Sequence, residues 1–176
     1  QENGRAITVL APESGFESTK RAGLGGGGKV IDMFDREAVR DYMSRFTDTI
    51  ASAIPPGAIR CQFHDSWEYT ADWSRRLPEF FEARRGYDIR DFLEALSDEA
   101  ANNLGPEVVQ RVRYDYRVTL EEMLLENFSA NWGEICHDAG MLTRNQAHGS
   151  PGNLLDIYAA AAIPETEIYR DKVSPF

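Results

Sequence analysis

Short apolar runs alternate with long amphipathic segments along this chain, and that alternation is what most limits its possible folds. Residues 29–33 (Lys29-Val30-Ile31-Asp32-Met33), 58–63, 141–146 and 162–168 read as short strands. Between them lie segments with helical periodicity. Val39, Tyr42, Met43, Phe46, Ile50 and Ala53 recur at spacings of three and four, with Asp35 as a cap and Pro55-Pro56-Gly57 as a stop. Pro78 suits a first helical turn and Gly86 a helix end, and Ile89 to Leu96 forms a further short helix. The longest helix is expected over residues 107–139, with Tyr116, Leu120, Met123, Leu124, Phe128, Trp132, Ile135 and Cys136 as its apolar stripe and Gly140 as its end. A helix over 153–161 precedes the last strand. Strands separated by helices predict an α/β fold in which crossover helices connect parallel strands.

A closed eight-stranded barrel takes about 250 residues. The 176 residues here supply about four strands. If the fold is a barrel, the chain is part of one. The expected organisation is a single incomplete segment, with 1–34 as a glycine-rich run-in and strand and 35–176 as βα units. The first residue is Gln1 rather than Met, which predicts a natural start upstream. A short strand over Ile7–Leu10 is also expected.

Composition narrows the function. Nineteen Lys and Arg against 29 Asp and Glu give a net charge of -10. Neutralising phosphates requires clustered cations, so a nucleic-acid partner is not expected. No apolar run is long enough to predict a membrane span. Two cysteines, Cys61 and Cys136, are too few for a disulfide scaffold or a four-cysteine zinc site, and both read as buried thiols. Gly23, Gly25 and Gly28 match G-x-G-x-x-G but run into a strand-like segment, whereas dinucleotide binding needs a helix there. A loop that allows close backbone approach is the better reading. Asn127-Phe128-Ser129 has the form of a glycosylation sequon but falls within an expected helix.

Polar clusters follow three of the strands, at 64–68, 144–148 and 165–167, where α/β folds build their sites. Glu68 stands between Trp67 and Tyr69. A carboxyl pressed on aromatic rings loses hydration and favours its neutral form, as a general acid must. Glu165 and Glu167, two apart on a strand, share a face, and either suits a base on water or a nucleophile. Carboxylates from separate strand ends are the minimal equipment of a glycosidase; the plainer alternative is solvated loop carboxylates. His64, Asp65 and His148 are the residues for a metal-dependent alternative, although no H-x-x-x-H spacing supports it. Ser66 and Ser150 lack the context of a nucleophile elbow.

Several of these segments occur in a recognisable order. Phe63-His64-Asp65-Ser66-Trp67-Glu68 precedes Phe80-Phe81-Glu82-Ala83-Arg84-Arg85-Gly86-Tyr87-Asp88 and Asp115-Tyr116-Arg117. Arg144-Asn145-Gln146-Ala147-His148-Gly149-Ser150-Pro151-Gly152-Asn153 and Ile163-Pro164-Glu165-Thr166-Glu167 follow. From about residue 5 to 170 the chain resembles the central part of the catalytic barrel of family 106 glycoside hydrolases, the bacterial α-L-rhamnosidases.

The resemblance implies a partial (β/α)8 TIM-type barrel that works with the remaining barrel and β-domains of a larger chain. It implies hydrolysis of terminal α-L-rhamnosyl bonds in a carbohydrate substrate with inversion. Glu68 would be the acid and Glu165 or Glu167 the base. Asp65, Trp67, Asn145, Gln146 and His148 would bind the sugar or orient the carboxyls. It further implies a calcium ion (Ca2+) near the sugar and a periplasmic or extracellular location. Two alternatives remain open: a retaining glycosidase of the β-galactosidase or glucuronidase kind, and a non-catalytic carbohydrate-binding α/β domain.

Overall fold

The computed structural model describes residues 18–20, 22–68, 71–97 and 104–166. The expected strand at Ile7–Leu10 lies outside them. The chain divides into two compact units, one of residues 1–30 and 73–119 and the other of 31–72 and 120–176.

In the first unit, α2 (Leu77–Arg85) carries Pro78 in its first turn and ends at Gly86, whose φ of 79° is left-handed. A 3-10 segment, Ile89–Leu96, follows and is interrupted at Phe92. Leu77, Phe81, Ile89, Ala95 and Val112 form the buried core. Tyr87 packs edge-on against Phe81 and Phe92, with centroids 4.9 and 5.3 Å away. Its hydroxyl donates to Asp115 at 2.9 Å. Burial and this carboxylate push the phenol up to about 12. The glycine-rich stretch closes a turn in which Ser18 and Lys29 form an isolated antiparallel bridge.

The second unit holds a parallel sheet of β1 (Cys61–His64), β2 (Leu142–Asn145) and β3 (Ile163–Pro164), in that order. His64 is level with Asn145, and Asn145 with Pro164. Helix α1 (Arg36–Ala53) begins at Asp35, whose carboxylate accepts from the Glu37 and Ala38 N–H groups. It packs on α4 (Asn131–Asp138), and α4 packs on β2. Helix α5 (Leu154–Ala160) links β2 to β3, capped by the Asn153 side chain.

Because side chains alternate along a strand, Gln62, His64, Thr143 and Asn145 face one way. Gln62, Thr143 and Asn145 are buried. Gln62 donates to Thr47 of α1 at 2.7 Å and accepts from the Trp132 indole of α4 at 3.0 Å. The opposite face carries Phe63 and Leu142, both exposed.

Two sequence expectations change. Residues 29–33 do not join the sheet. The Asp32 carboxylate takes the Phe34 N–H at 3.0 Å and the Asp32 carbonyl takes that of Asp35 at 3.2 Å, so the chain turns into α1. The apolar character of Met33 and Phe34 reflects burial in the core rather than strand pairing. Three strands are therefore described, not four.

The long helix is also not uniform. Helix α3 (Pro106–Met123) passes into a π-helical segment, Leu124–Ala130, before α4. Asn131 Nδ2 donates to the Asn127 carbonyl, the acceptor that a regular α-helix would give to the Asn131 backbone. The Asn131 N–H turns to the Phe128 carbonyl instead. Side chains anchor this segment to the start of α1: Asn127 Nδ2 donates to Phe34 O at 2.7 Å and Asn131 Nδ2 to Arg36 O at 2.9 Å.

Candidate active site

The carboxyl ends of the three strands lie side by side, and their following loops are joined by main-chain bonds. The Gln146 N–H donates to His64 O at 3.1 Å, Glu165 N–H to Asn145 O at 3.0 Å, and Trp67 N–H to His148 O at 2.7 Å. Each loop is thus tied to the neighbouring strand or its loop.

His64 stands in a ring cluster. Its centroid is 4.7 Å from Trp67, 5.1 Å from Phe128 and 6.0 Å from Trp132. Burial in this cluster pushes its pKa below the ordinary value, against smaller opposing effects of Asn145 and Asp65. The ring is therefore neutral near pH 7. Asn145 Oδ1 already accepts the Ala147 N–H at 3.1 Å, so it is an acceptor toward His64 Nδ1 at 3.3 Å. The bond assigns the imidazole proton to Nδ1.

Asn145 is 1% exposed and Gln146 6%. Both are turned inward, and among the described residues Gln146 Oε1 and Trp67 Nε1 are buried without a hydrogen-bond partner. Ala147, also buried, has a φ of 53°, rare for a residue with a Cβ. Gly149 follows with a φ of 77°; a Cβ there would lie 2.7 Å from Trp67 O. His148 is exposed. So is Asp65, whose carboxylate accepts the Ser66 N–H at 2.8 Å.

Glu68 is exposed. The Trp67 indole beside it in sequence packs on His64 and Phe128. Tyr69 and Glu167 lie outside the described residues.

Glu165 is held by Arg144 in a two-pronged pair: Arg144 Nε donates to Oε2, and Nη2 to Oε1 at 2.7 Å. This pairing holds the carboxyl below the usual carboxylate range. The guanidinium also lies over the Phe63 ring, 4.5 Å from its centroid. Arg144 thus spans all three strands on the open face. Residue types alone did not single it out; its signal is the strand register, in which Arg144 pairs with both Phe63 and Ile163. Phe128 and Trp132 were legible only as a helix stripe.

Among the described residues, no three His, Cys, Asp or Glu side chains converge as metal ligands. No described helix is long and apolar enough to cross a membrane.

The profile of the α-L-rhamnosidase family, glycoside hydrolase family 106, matches residues 17–174. A solved rhamnosidase from Novosphingobium sp. PP1Y superposes with a TM-score of 0.67 at 24% identity, covering 82% of this chain and 14% of that one. A Formosa agariphila protein designated a β-glucuronidase is 22% identical over 142 residues, 80% of this chain and 12% of its own length. The chain thus spans about one-eighth of the proteins it matches.

Proposed function

Because this chain belongs to the α-L-rhamnosidase family of glycoside hydrolases, we propose that it forms part of the active site of an enzyme that hydrolyses terminal α-L-rhamnosyl bonds with inversion. The observation that carries the reading is the sheet: three adjacent parallel strands deliver polar side chains at their carboxyl ends, within a sequence matched by the family profile almost throughout.

The sheet also supports a place within a larger barrel. Purely parallel sheets are almost always covered on both faces. Here helices cover one face, while Phe63 and Leu142 on the other are 47% and 41% exposed. Further βα units of a (β/α)8 barrel cover that face in the full-length parent.

Glu68, at the end of the β1 loop, protonates the leaving oxygen. Its solvent-exposed position suits proton exchange. Of the two candidate bases, Glu165 is tied to Arg144 and held ionised, which lowers its basicity. Glu167 therefore deprotonates the attacking water, and Glu165 contributes a fixed negative charge beside the sugar. Inversion requires the acid and base about 6.5–9.5 Å apart, with room for water between them.

The test is Glu68→Gln in the full-length parent, assayed on an unactivated α-L-rhamnoside. Loss of the acid is expected to lower kcat by about 10²–10⁴-fold. Undiminished cleavage by a folded variant removes Glu68 from the acid role.

The β-glucuronidase designation of the Formosa protein favours a second reading, a hydrolase of another sugar. A retaining enzyme of that kind needs carboxyls only about 5–5.5 Å apart. Release of glucuronic acid in preference to rhamnose from paired aryl glycosides supports it over the first.

A further inference from the structure

Residues 145–149 hold a backbone shape that the chain does not adopt without support. Ala147 sits at positive φ with its side chain fully buried. A non-glycine residue persists there only where its surroundings enforce it. The enforcement is visible: Asn145 Oδ1 takes the Ala147 N–H, and the same oxygen receives His64 Nδ1–H from the neighbouring strand. The consequence lies two residues on. With Ala147 so turned, the His148 carbonyl points at the β1 loop and takes the Trp67 N–H at 2.7 Å. That bond is made by the Ser66–Trp67 peptide, one residue before Glu68. At Gly149 the chain passes so close to Trp67 O that no Cβ fits.

We infer that Asn145 is a positioning residue for the general acid: by holding Ala147 left-handed it aims the His148 carbonyl at Trp67 and so fixes where Glu68 stands. This rests on the assignment of Glu68 as the acid. Of the two roles that the resemblance implies for Asn145, it favours orienting a carboxyl, since the side chain is 1% exposed and its oxygen is already bonded twice.

A misplaced acid has a kinetic signature that a general loss of structure lacks. A 2,4-dinitrophenyl leaving group departs without a proton, whereas an alkoxide needs one. The experiment compares Asn145→Ala with the wild type in the full-length enzyme, on 2,4-dinitrophenyl and methyl α-L-rhamnosides. A loss of about 100-fold or more in kcat/KM is expected on the methyl glycoside, with less than about 10-fold on the dinitrophenyl one. Adding Ala147→Gly, which accepts positive φ without help, is expected to recover at least about 10-fold on the methyl substrate. Gly149→Ala pushes on the same contact from the other side and is expected to reproduce the pattern, which keeps the test available if Asn145→Ala folds poorly.

Equal losses on both substrates, or no recovery in the double variant, overturn the inference. Glu68→Gln measured in parallel separates the failures. If it alone shows the leaving-group pattern, Asn145 is not a positioning residue and the acid assignment stands. If neither variant shows it, the acid assignment is overturned and the inference falls with it.

Discussion

The two faces of the β1–β2 pair are built from alternate residues of the same eight positions, yet they do opposite things. On the helix-covered face, Gln62, His64, Thr143 and Asn145 are neutral polar groups inserted among rings and helices, and three of them are buried. Their hydrogen bonds run to Thr47, Trp132 and Ala147, so this face sets shape. On the open face, Arg144 is charged, lies over the exposed Phe63 ring and pairs with Glu165, which follows β3; both charged side chains are a third or so exposed. Charge is affordable there because solvent is near, and it is absent from the other face because an unpaired buried charge costs several kcal/mol. The closed face fixes where the loops stand, and the open face supplies the electrostatics that those loops use.

Substitutions should respond accordingly. The largest effect is expected from Trp132→Ala, which removes a ring 2% exposed and orphans Gln62 Oε1. A loss of about 3–5 kcal/mol is expected from the cavity alone, read as a lower urea midpoint. A loss below about 1 kcal/mol contradicts the view that this face is a packed core.

Next comes the pH dependence of His64. Its pKa in the folded state lies below the unfolded value, so the unfolded chain binds the proton more readily. Stability from this group is therefore complete above about pH 6.5 and falls as pH drops below it. His64→Phe, which keeps a ring in the cluster, should flatten that part of the melting-temperature profile; an unchanged slope shows that burial of the imidazole is not its source.

Cys136 is subtler. Burial pushes its thiol up to about 12, so it should resist alkylation in the native protein at pH 8 and react once unfolded. Rapid native labelling, located by peptide mapping, breaks the contrast between closed and open faces.

The smallest effect on stability is expected for Arg144→Gln, since exposed pairs contribute little and are screened by salt. Its signature is electrostatic instead: the Glu165 carboxyl should return toward its ordinary value, followed by carboxyl ¹³C shifts. A large loss of stability with no change at Glu165 reverses the roles given to the two faces.

Much of this was legible because it is local. Asp35, Gly86, Gly140 and Asn153 end helices where their own chemistry dictates, and the structure places a cap or a left-handed turn at each. The three sheet strands start within one to three residues of the apolar runs that announced them. What escaped depends on partners far along the chain. The π-helical turn requires Asn127 and Asn131 to reach Phe34 and Arg36, more than 90 residues away. Whether Val30–Met33 pairs as a strand turned on one carboxylate, Asp32. The polar cluster after β2 was visible, but which of its members face inward depends on the register that sets Asn145 beside His64. Hydropathy carries no trace of Ala147's left-handed backbone.

The account stands most directly on the stereochemistry of hydrolysis. Proton NMR of the first sugar released from an aryl α-L-rhamnoside by the full-length enzyme, recorded before mutarotation, is expected to show the β anomer of rhamnose, as attack by water between two separated carboxylates requires. Initial release of the α anomer means a covalent intermediate and contradicts the assignment of roles to Glu68 and Glu167.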